Sequence, residues 1–345
     1  MNGKFEKALI FSGGGTRMMI YLGMYAALEE LDMKPDVLIA TCGGAFATAV
    51  INAFPDHLSR KNYLKSEEYF RFVTNTVLTQ HKKLSKIGLF TLKKILDTRN
   101  APYIEDVFNR YLVEMHQDLS TNFPTLKNIS FSKEIPTLII GSEILFTPEE
   151  TGQPRNNRKL YQKIIFTDTE TADKIIPEQI IINSSNFKNS TITELPLVKT
   201  DVSLLESVRI SVSDMFYVAP AFLQGKYFAG GAVDLIPVEL ARHLANIVIT
   251  EKKQSYTLAE EALVRSVFGL SGNKRLSEVQ SMHPDFQIDT LTIKESLKGH
   301  YLKKNINWSK FEIGFSFPQT HQQFKEDMEK QWQYGFDQTM KSMRR

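Results

Sequence analysis

Two short apolar runs near the start of the chain are each followed by a glycine-rich turn and a helical pattern. Residues 8–11 predict a buried strand, and residues 18–31 show the apolar spacing of a helix. Residues 37–40 predict a second buried strand, and residues 45–50 continue as a helix of small residues. This repeated order of strand, turn and helix predicts a parallel sheet with right-handed crossovers, and hence an α/β fold.

The segment 55–130 differs from this start, because it is helical in pattern, basic in places and rich in Phe, Tyr and Leu. It predicts a helical cap inserted into the domain. Its lysines alternate with apolar residues, which fits either a solvated lysine face or a docking surface for a lipid headgroup or an acidic carrier protein. These lysines are Lys82, Lys83, Lys86, Lys93 and Lys94.

Later segments alternate between apolar runs and polar stretches. Residues 150–200 are rich in Asn, Thr and Ser, which favours exposed hairpins or long loops. The remaining pattern predicts strands at 135–140, 246–250 and 288–293, and helices at 204–212, 257–268 and 320–345. No repeat or linker interrupts the chain, so we expect a single domain over residues 1–345.

The two glycine-rich turns carry the candidate chemistry. In the first, Gly13, Gly14 and Gly15 stand between a strand and a helix, where their backbone N–H groups can turn outward and cradle an anion or oxyanion. In the second, Cys42 occupies a strand-to-helix turn with the shape of a nucleophile elbow. A phosphate-binding turn is the alternative for the first, but neither Gly-Lys-Ser/Thr nor a complete G-x-G-x-x-G follows it.

Residues 8–51 resemble the core of patatin-like phospholipases of the bacterial type, in which a glycine-rich motif precedes a G-x-S-x-G elbow. Residues 226–237 resemble the later Asp-Gly-Gly motif of that family. The resemblance implies a three-layer sandwich with a mostly parallel central sheet flanked by helices. It also implies a Ser-Asp dyad, but this chain has Cys42 at the serine position and Ala229 at the aspartate position. Ala40 and Met18 stand where the family usually has glycines.

The two dyad differences are chemically compatible with each other. A serine needs an adjacent base, whereas a thiol at a helix N-terminus, with Arg17 near it, has a lowered pKa and attacks as a thiolate. We therefore expect Cys42 to be a nucleophile. Three alternatives stay open: an inert core thiol, a catalytically silent protein that binds lipid or protein, and a lipid hydrolase altered from Asp to Ala at residue 229.

Other residues are assigned by their position beside these motifs. Gly13, Gly14 and Gly15 are the expected oxyanion donors, and Asp214 is a speculative substitute base. Arg17, Met18 and Gly44 are expected to contact substrate. Asp234 is expected to cap the segment that follows it. The seven histidines are scattered away from the motifs, and no residues have metal-ligand spacing, so we expect neither a metal nor a cofactor.

Composition narrows the class of protein without deciding the function. The 345 residues are 42% hydrophobic and 23% charged, as in ordinary globular proteins, and the net charge of +3 gives no reason to expect nucleic acid as a partner. One cysteine forms no internal disulfide. The first residues lack the apolar core of a signal peptide, so a cytoplasmic location is expected, and export without such a signal stays open.

Together these features predict an acyl hydrolase or acyltransferase. The thiol of Cys42 would attack a lipid ester or an acyl thioester, and an acyl-thioenzyme passes its acyl group readily to an amine or a thiol. The expected partners are the lipid or acyl-thioester substrate and either an acyl carrier protein or a membrane surface.

Overall fold

The computed structural model describes residues 3–14, 17–300, 302–307, 309–310 and 312–344. Strands in this part of the chain form one large sheet and one separate hairpin. The strands of the sheet are β1 (Phe5–Phe11), β2 (Val37–Ala40), β3 (Thr137–Ile144), β4 (Tyr161–Phe166), β5 (Leu197–Lys199), β6 (Ala221–Leu223), β7 (Lys226–Ala229), β8 (Ala245–Lys252) and β9 (Phe286–Asp289). The hairpin consists of β10 (Lys303–Asn307) and β11 (Glu312–Ser316).

Helices connect these strands and cover both faces of the sheet. They are α1 (Met18–Glu30), α2 (Gly43–Ala53), α3 (His57–Leu64), α4 (Glu67–Thr74), α5 (Leu84–Leu96), α6 (Thr169–Ala172), α7 (Ser185–Lys188), α8 (Leu204–Ser211), α9 (Val238–Leu244), α10 (Leu258–Phe268), α11 (Gly272–Ser281), α12 (Ile293–Ser296) and α13 (His321–Met343). Within the described residues, no helix has both the length and the apolar content needed to cross a bilayer.

The sheet has the order β5-β4-β3-β2-β1-β8-β9, with β7 pairing to β3 and β6 pairing to β7. Neighbouring strands are parallel from β3 through β2, β1 and β8 to β9, and β4 pairs parallel with β5. Only the pairs around β3, β4, β6 and β7 are antiparallel in this sheet. The chain therefore has the mostly parallel α/β architecture predicted from its sequence.

The central strand β1 shows how the layers arise from side-chain alternation. Leu9 and Phe11 point into one apolar cluster, together with α1, α2, α8 and α13, whereas Ala8 and Ile10 point into a second cluster with α9, α10 and α11. All four side chains are almost fully buried. A sheet buried on both faces needs continuous apolar strands, and this is the pattern that residues 8–11 show.

Two of the predicted elements are wrong. Residues 150–200 contain β4, a buried strand paired antiparallel with β3, where the sequence predicted exposed hairpins or loops. The late strand lies at Phe286–Asp289 and not at 288–293, since the chain turns after Asp289 and starts α12 at Ile293. In the segment 55–130, helices α3, α4 and α5 cover residues 57–96, and short 3-10 turns and irregular chain follow.

Candidate active site

Cys42 lies at the sharp turn between β2 and α2. Its φ of 49° and ψ of −122° are strained for a residue with a side chain, as in a nucleophile elbow. Two contacts hold this conformation. The Cys42 N–H donates to Ser211 Oγ at 2.8 Å, and Ser211 Oγ donates to the carbonyl of Ile140 at 2.6 Å. Helix α8 and strand β3 thereby fix the turn that presents the thiol.

Glycines permit the close packing around this turn. An added Cβ at Gly44 would lie 2.3 Å from the carbonyl oxygen of Phe11, so α2 approaches β1 as closely as backbones allow. Gly44 serves this packing and does not line the cavity described below, contrary to its expected substrate contact. An added Cβ at Gly13 would lie 3.2 Å from Cβ of Cys42. The two glycine-rich turns are therefore in direct contact.

Backbone N–H groups from both turns point at the sulfur atom. The N–H groups of Gly14 and Gly43 hydrogen-bond to the Cys42 side chain. Gly14 was expected to act as such a donor, and Gly43 was missed, although the residue after an elbow nucleophile is the usual second donor. Gly15 lies outside the described residues. Two N–H groups converging on one atom form a site where a developing negative charge is stabilised.

Asp214 lies next to the thiol. Its carboxyl group is within hydrogen-bonding reach of the Cys42 side chain, and its Oδ1 accepts the N–H of Ala232 at 3.3 Å. An added Cβ at Gly230 would lie 2.4 Å from Oδ1, so only glycine leaves room for the carboxyl group there. The late glycine motif thus shapes the space that Asp214 occupies.

The thiol pKa is shifted opposite to the prediction from sequence. Burial raises the pKa of Cys42 well above its ordinary value of 9.0, and the adjacent Asp214 carboxyl raises it further. The hydrogen bonds from Gly14 and Gly43 lower the pKa but are outweighed. Arg17, which was expected to favour the thiolate, is ion-paired with Glu251 instead. At neutral pH the resting side chain is therefore a thiol.

The pKa of Asp214 is also raised, as expected for a carboxyl group in an apolar site. Burial raises its pKa from 3.8 to about 6, although the hydrogen bonds from Cys42 and Ala232 and the charge of Lys253 act to lower it. A carboxyl group with a pKa near neutrality exchanges a proton readily at physiological pH. The pair therefore consists of a protonated sulfur atom and a carboxylate positioned to accept its proton.

Glu251, at the end of β8, and Lys253, just beyond it, support the first glycine turn. Lys253 donates its Nζ proton to the carbonyl of Gly13, and burial lowers the pKa of Lys253 to about 8. Glu251 accepts hydrogen bonds from Ser12 Oγ, at 3.0 Å, and from Arg17. Arg17 is thus a structural partner of Glu251 and does not line the cavity where it was expected to contact substrate.

An apolar cavity of about 220 Å³ opens next to the thiol. Cys42 and Gly43 line one part of it, and most of the remaining wall consists of aromatic and aliphatic side chains from α1, α2, α4, α13 and the chain near residue 123. They include Met18, Phe46, Tyr69, Phe123, Phe324 and Met328. Met18 therefore lies where a substrate contact was expected. The described residues contain no cluster of side chains suited to a metal ion.

Comparison with protein families decides the relationship of this chain. The model of patatin-like phospholipases matches residues 9–242, which is more than half of the chain. The chain belongs to the patatin-like phospholipase family. A search of curated proteins finds no match.

The chain is also similar to several solved structures, among them the following three. Human GIVD cytosolic phospholipase A2 has 11% identity and a TM-score of 0.39, with 98% of this chain and 59% of that chain covered. VipD from Legionella pneumophila has 12% identity and a TM-score of 0.30, with 72% and 50% covered. The type III effector ExoU has 12% identity and a TM-score of 0.34, with 98% and 53% covered. The chain thus spans between half and three fifths of the length of these proteins.

In this patatin-like protein, Ala229 ends β7 inside the second apolar cluster and is 1% exposed. It pairs across the sheet with Ser142, whose Oγ donates to the Ala229 carbonyl at 3.2 Å. Its assignment to the aspartate position of the family stays a prediction. Asp234 does not act as the expected helix cap, because its buried carboxylate pairs with Lys163 and with Arg275 at 3.2 Å.

Sequence reasoning missed Gly43, Ser211 and Lys253. Gly43 follows the candidate nucleophile directly, so the elbow pattern itself contained the signal. Ser211 lies at the end of α8 and Lys253 lies just beyond β8, far along the chain from the two glycine-rich turns. Only the fold brings them to the turns that they hold.

Proposed function

We propose that this patatin-like protein is a lipid acyl hydrolase in which Cys42 is the nucleophile and Asp214 is the general base. One observation carries the proposal: the carboxyl group of Asp214 faces the Cys42 thiol at the end of an apolar cavity, while two backbone N–H groups point at the sulfur. Membership of a lipase family supports the same reaction class.

The first half of the reaction begins with a neutral thiol. As the sulfur attacks the acyl carbonyl, its proton passes to the Asp214 carboxylate, and the S–C bond forms. The carbonyl oxygen becomes an oxyanion, which the N–H groups of Gly14 and Gly43 stabilise. Each such donor typically contributes about 3 kcal/mol to lowering the barrier.

The second half releases the product. The tetrahedral intermediate collapses, the bond to the leaving oxygen breaks, and protonated Asp214 returns its proton to that oxygen. The acyl group now remains on Cys42 as a thioester. Water, deprotonated by Asp214, hydrolyses this thioester to the free acid and the thiol. An alcohol, amine or thiol in place of water gives acyl transfer, which is the second outcome that we propose for the same intermediate.

The apolar walls of the cavity support an acyl chain as the part of the substrate bound beside Cys42. A lipid ester fits this description, and an acyl thioester presents the same chain. For a lipid substrate the partner is a membrane surface, and for a carrier-bound thioester it is an acyl carrier protein. We also propose a cytoplasmic location.

A catalytically silent lipid-binding protein is the competing function. Such a protein would bind lipid in the same cavity without reacting with it. Because burial raises the pKa of Cys42, the thiol is a poor nucleophile unless Asp214 accepts its proton, and an unreactive thiol favours this competing function. Binding alone therefore does not decide between the two.

The deciding experiment measures acylation of Cys42 directly. The purified protein is incubated with an octanoyl thioester and with p-nitrophenyl octanoate, and intact mass is recorded over time. We expect one octanoyl adduct, mapped to Cys42 by peptide analysis, together with steady release of p-nitrophenol. Cys42→Ala abolishes both, and Asp214→Asn slows turnover about 100- to 10,000-fold, the range typical of a lost general base.

Asp201→Asn is the matched control, since it removes an exposed carboxylate outside the site. It should leave both rates unchanged. A wild-type protein that binds octanoate but yields neither an adduct nor p-nitrophenol would establish the silent binder. An adduct on Cys42→Ala would show that another residue is the nucleophile.

A further inference from the structure

Lys253 reaches the first glycine-rich turn from just beyond strand β8, which pairs in parallel with β1. Its ammonium group donates a hydrogen bond to the Gly13 carbonyl oxygen. The next carbonyl group, that of Gly14, accepts the backbone N–H of Arg17 at 3.0 Å, so its donor lies nearby in the chain. The Gly13 carbonyl, in contrast, is bonded by a side chain that comes from a distant part of the sequence.

The Gly13 carbonyl and the Gly14 N–H belong to the same peptide group. In a planar trans peptide these two groups point in opposite directions. Since the carbonyl points at Lys253, the N–H points away from Lys253, and this N–H is one of the two that hydrogen-bond to the Cys42 side chain. A bond on one side of the peptide group therefore sets the direction of the oxyanion donor on the other side.

The peptide group between Gly13 and Gly14 can turn over more easily than most. Turning it changes mainly ψ of the residue before it and φ of the residue after it, and both residues are glycine. Gly14 already has a φ of 150°, in a region that residues with a side chain rarely adopt. A turned peptide would aim its carbonyl oxygen at the nucleophile in place of the N–H. A separate interaction must therefore select the productive orientation.

We infer that Lys253 is a positioning residue of the oxyanion hole, because its bond to the Gly13 carbonyl holds the Gly14 N–H toward Cys42. Loss of this bond lets the peptide group turn over. The inference rests on the proposed function for its effect on catalysis, but the orientation of the peptide group can be measured without catalysis.

The strength of the Lys253 bond depends on pH. Burial lowers the pKa of Lys253 to about 8. The charged and titratable groups that face it are one that lowers this pKa further, Arg17, and three that raise it, Glu251, Cys42 and Asp214. Below its pKa Lys253 makes a charge-assisted bond, which is about twice as strong as a bond between neutral groups. Catalysis should therefore weaken as pH rises through about 8.

Substitution of Lys253 provides the kinetic test, with p-nitrophenyl octanoate as the substrate. Lys253→Met should lower kcat about 100- to 1,000-fold, which is the usual cost of losing one oxyanion donor. KM should hardly change, because the donor acts on the transition state. Lys253→Arg keeps a charged donor and should bring kcat to within about tenfold of the wild type. Lys252→Met is the matched control, since it removes a lysine from the neighbouring position, and should leave kcat and KM unchanged.

The pH profile separates positioning from a purely structural role. For the wild type, kcat should fall about fivefold between pH 7 and pH 9, with a midpoint near 8, as the charge-assisted bond is lost. Lys253→Arg should not show this fall, because arginine stays charged over this range, and Lys253→Met should not show it either. A fall of the same size in both variants would overturn the inference, since another group would then be titrating.

An NMR measurement tests the bond to the peptide group without catalysis. Protein labelled with glycine that carries ¹⁵N and carbonyl ¹³C gives HNCO signals only from Gly-Gly peptide groups, which the sequence places at 13–14, 14–15, 43–44 and 230–231. The signal of 13–14 is assigned by its loss in Gly13→Ala. It should titrate with a midpoint near 8 in the wild type and should not titrate in Lys253→Arg or Lys253→Met.

The kinetic and NMR results distinguish failure of this inference from failure of the proposed function. A 13–14 signal that does not titrate in the wild type overturns the inference, whatever the rates are. A titrating signal in a protein that forms no acyl adduct supports the contact with Lys253 and shows that the proposed chemistry has failed. An active enzyme whose kcat is unchanged by Lys253→Met overturns the positioning role. Correct folding of each variant is checked by its thermal melting curve.

Discussion

The Cys42 side chain is subject to opposing influences, and their balance decides how it can react. The helix N-terminus and two N–H donors favour the thiolate, whereas burial and the nearby Asp214 carboxyl disfavour it. Burial is the largest of these influences, so the pKa rises. A sequence shows the donors next to Cys42, but it does not show that the fold buries the turn and brings Asp214 to it. The resting site therefore holds a thiol beside a carboxyl group, and not a free thiolate.

The pH dependence of activity follows from Asp214. Because burial raises its pKa to about 6, and because it must be ionised to accept the thiol proton, kcat/KM for p-nitrophenyl octanoate should rise with pH through a midpoint near 6. A pH profile of kcat/KM between pH 4 and pH 8 measures this midpoint. A midpoint near the ordinary aspartate value of 3.8 would exclude Asp214 as the base.

The raised pKa of Asp214 also means that this residue destabilises the folded protein at neutral pH. Its pKa is higher in the folded protein than in the unfolded chain, so the folded state holds the proton more tightly, and stability falls as pH rises from 3.8 to about 6. Asp214→Asn should therefore raise Tm at pH 8 and have little effect at pH 3.5. The difference in unfolding free energy is on the order of 1 kcal/mol, since partial exposure of Asp214 screens its charge.

Ala229 provides a test of the idea that an aspartate was lost from this position. Its side chain is buried in the second apolar cluster, and the next residue, Gly230, is the one that packs against the Asp214 carboxyl group. Ala229→Asp should lower Tm markedly, by a destabilisation of about 3 kcal/mol or more, and should not raise esterase activity, because a buried carboxylate without a cation is costly. Activity at pH 7 and thermal melting measure the two effects. A large gain in activity would show that residue 229 is the natural base position.

At the scale of elements, the sequence predicted those strands and helices whose formation depends on the pattern within their own segment. The strands at 37–40 and 8–11 and the helix beginning at Met18 were predicted correctly, because continuous apolar runs and helical periodicity are properties of the segment itself. Strand β4 was missed, since its polar flanks resemble loops. It becomes a buried strand only by pairing with β3, and no pattern within residues 150–200 reveals that partner.

Helix α5 has apolar residues on two opposite sides. Phe90 packs on Phe216 with ring centroids 5.1 Å apart, whereas Leu89, Leu92 and Leu96 lie on the outer side and are 58%, 51% and 73% exposed. Exposed lysines, Lys86 and Lys93, flank this leucine stripe. Such an arrangement is typical of a helix that lies on an anionic membrane surface, and it favours a docking surface over a purely solvated lysine face for this segment.

The leucine stripe should therefore bind anionic vesicles. Replacing Leu89, Leu92 and Leu96 together by Gln should weaken sedimentation with phosphatidylglycerol vesicles by about 100-fold, given roughly 25 cal/mol for each Å² of apolar surface buried. Leu58→Gln is the matched control, because Leu58 is also 58% exposed but lies on α3. Unchanged vesicle binding by the triple variant would leave α5 as a solvated helix.

At the scale of the whole molecule, the cavity and the site are assembled from segments that are far apart in sequence. The family model ends at residue 242, yet Lys253, Phe324 and Met328 come from beyond it and complete the turn or the cavity. A motif predicts the residues that are next to it, but it does not predict which distant element will cover it. For this reason the elbow and the glycine turn could be found from sequence, and the cavity wall could not.

Helix α13, which contributes to the cavity wall, packs closely on α1, which follows the first glycine-rich turn. An added Cβ at Gly335 would lie 2.1 Å from the carbonyl oxygen of Ile20, and one at Gly23 would lie 2.0 Å from that of Trp332. In an exposed helix, Gly to Ala stabilises by up to about 1 kcal/mol. Gly335→Ala should instead lower the free energy of unfolding by about 1–3 kcal/mol, because α13 and α1 must separate to make room for the added Cβ.

Gly335→Ala should also weaken binding of long acyl chains, since Phe324 and Met328 on α13 line the cavity beside Cys42. Denaturant unfolding and the KM for p-nitrophenyl octanoate measure the two effects. Gly88→Ala in α5 is the matched control, because nothing lies within 4 Å of its added Cβ. It should stabilise the protein slightly and leave KM unchanged. If both variants were equally stable, α13 would not be held by this close contact, and the cavity wall would have to depend on other interactions.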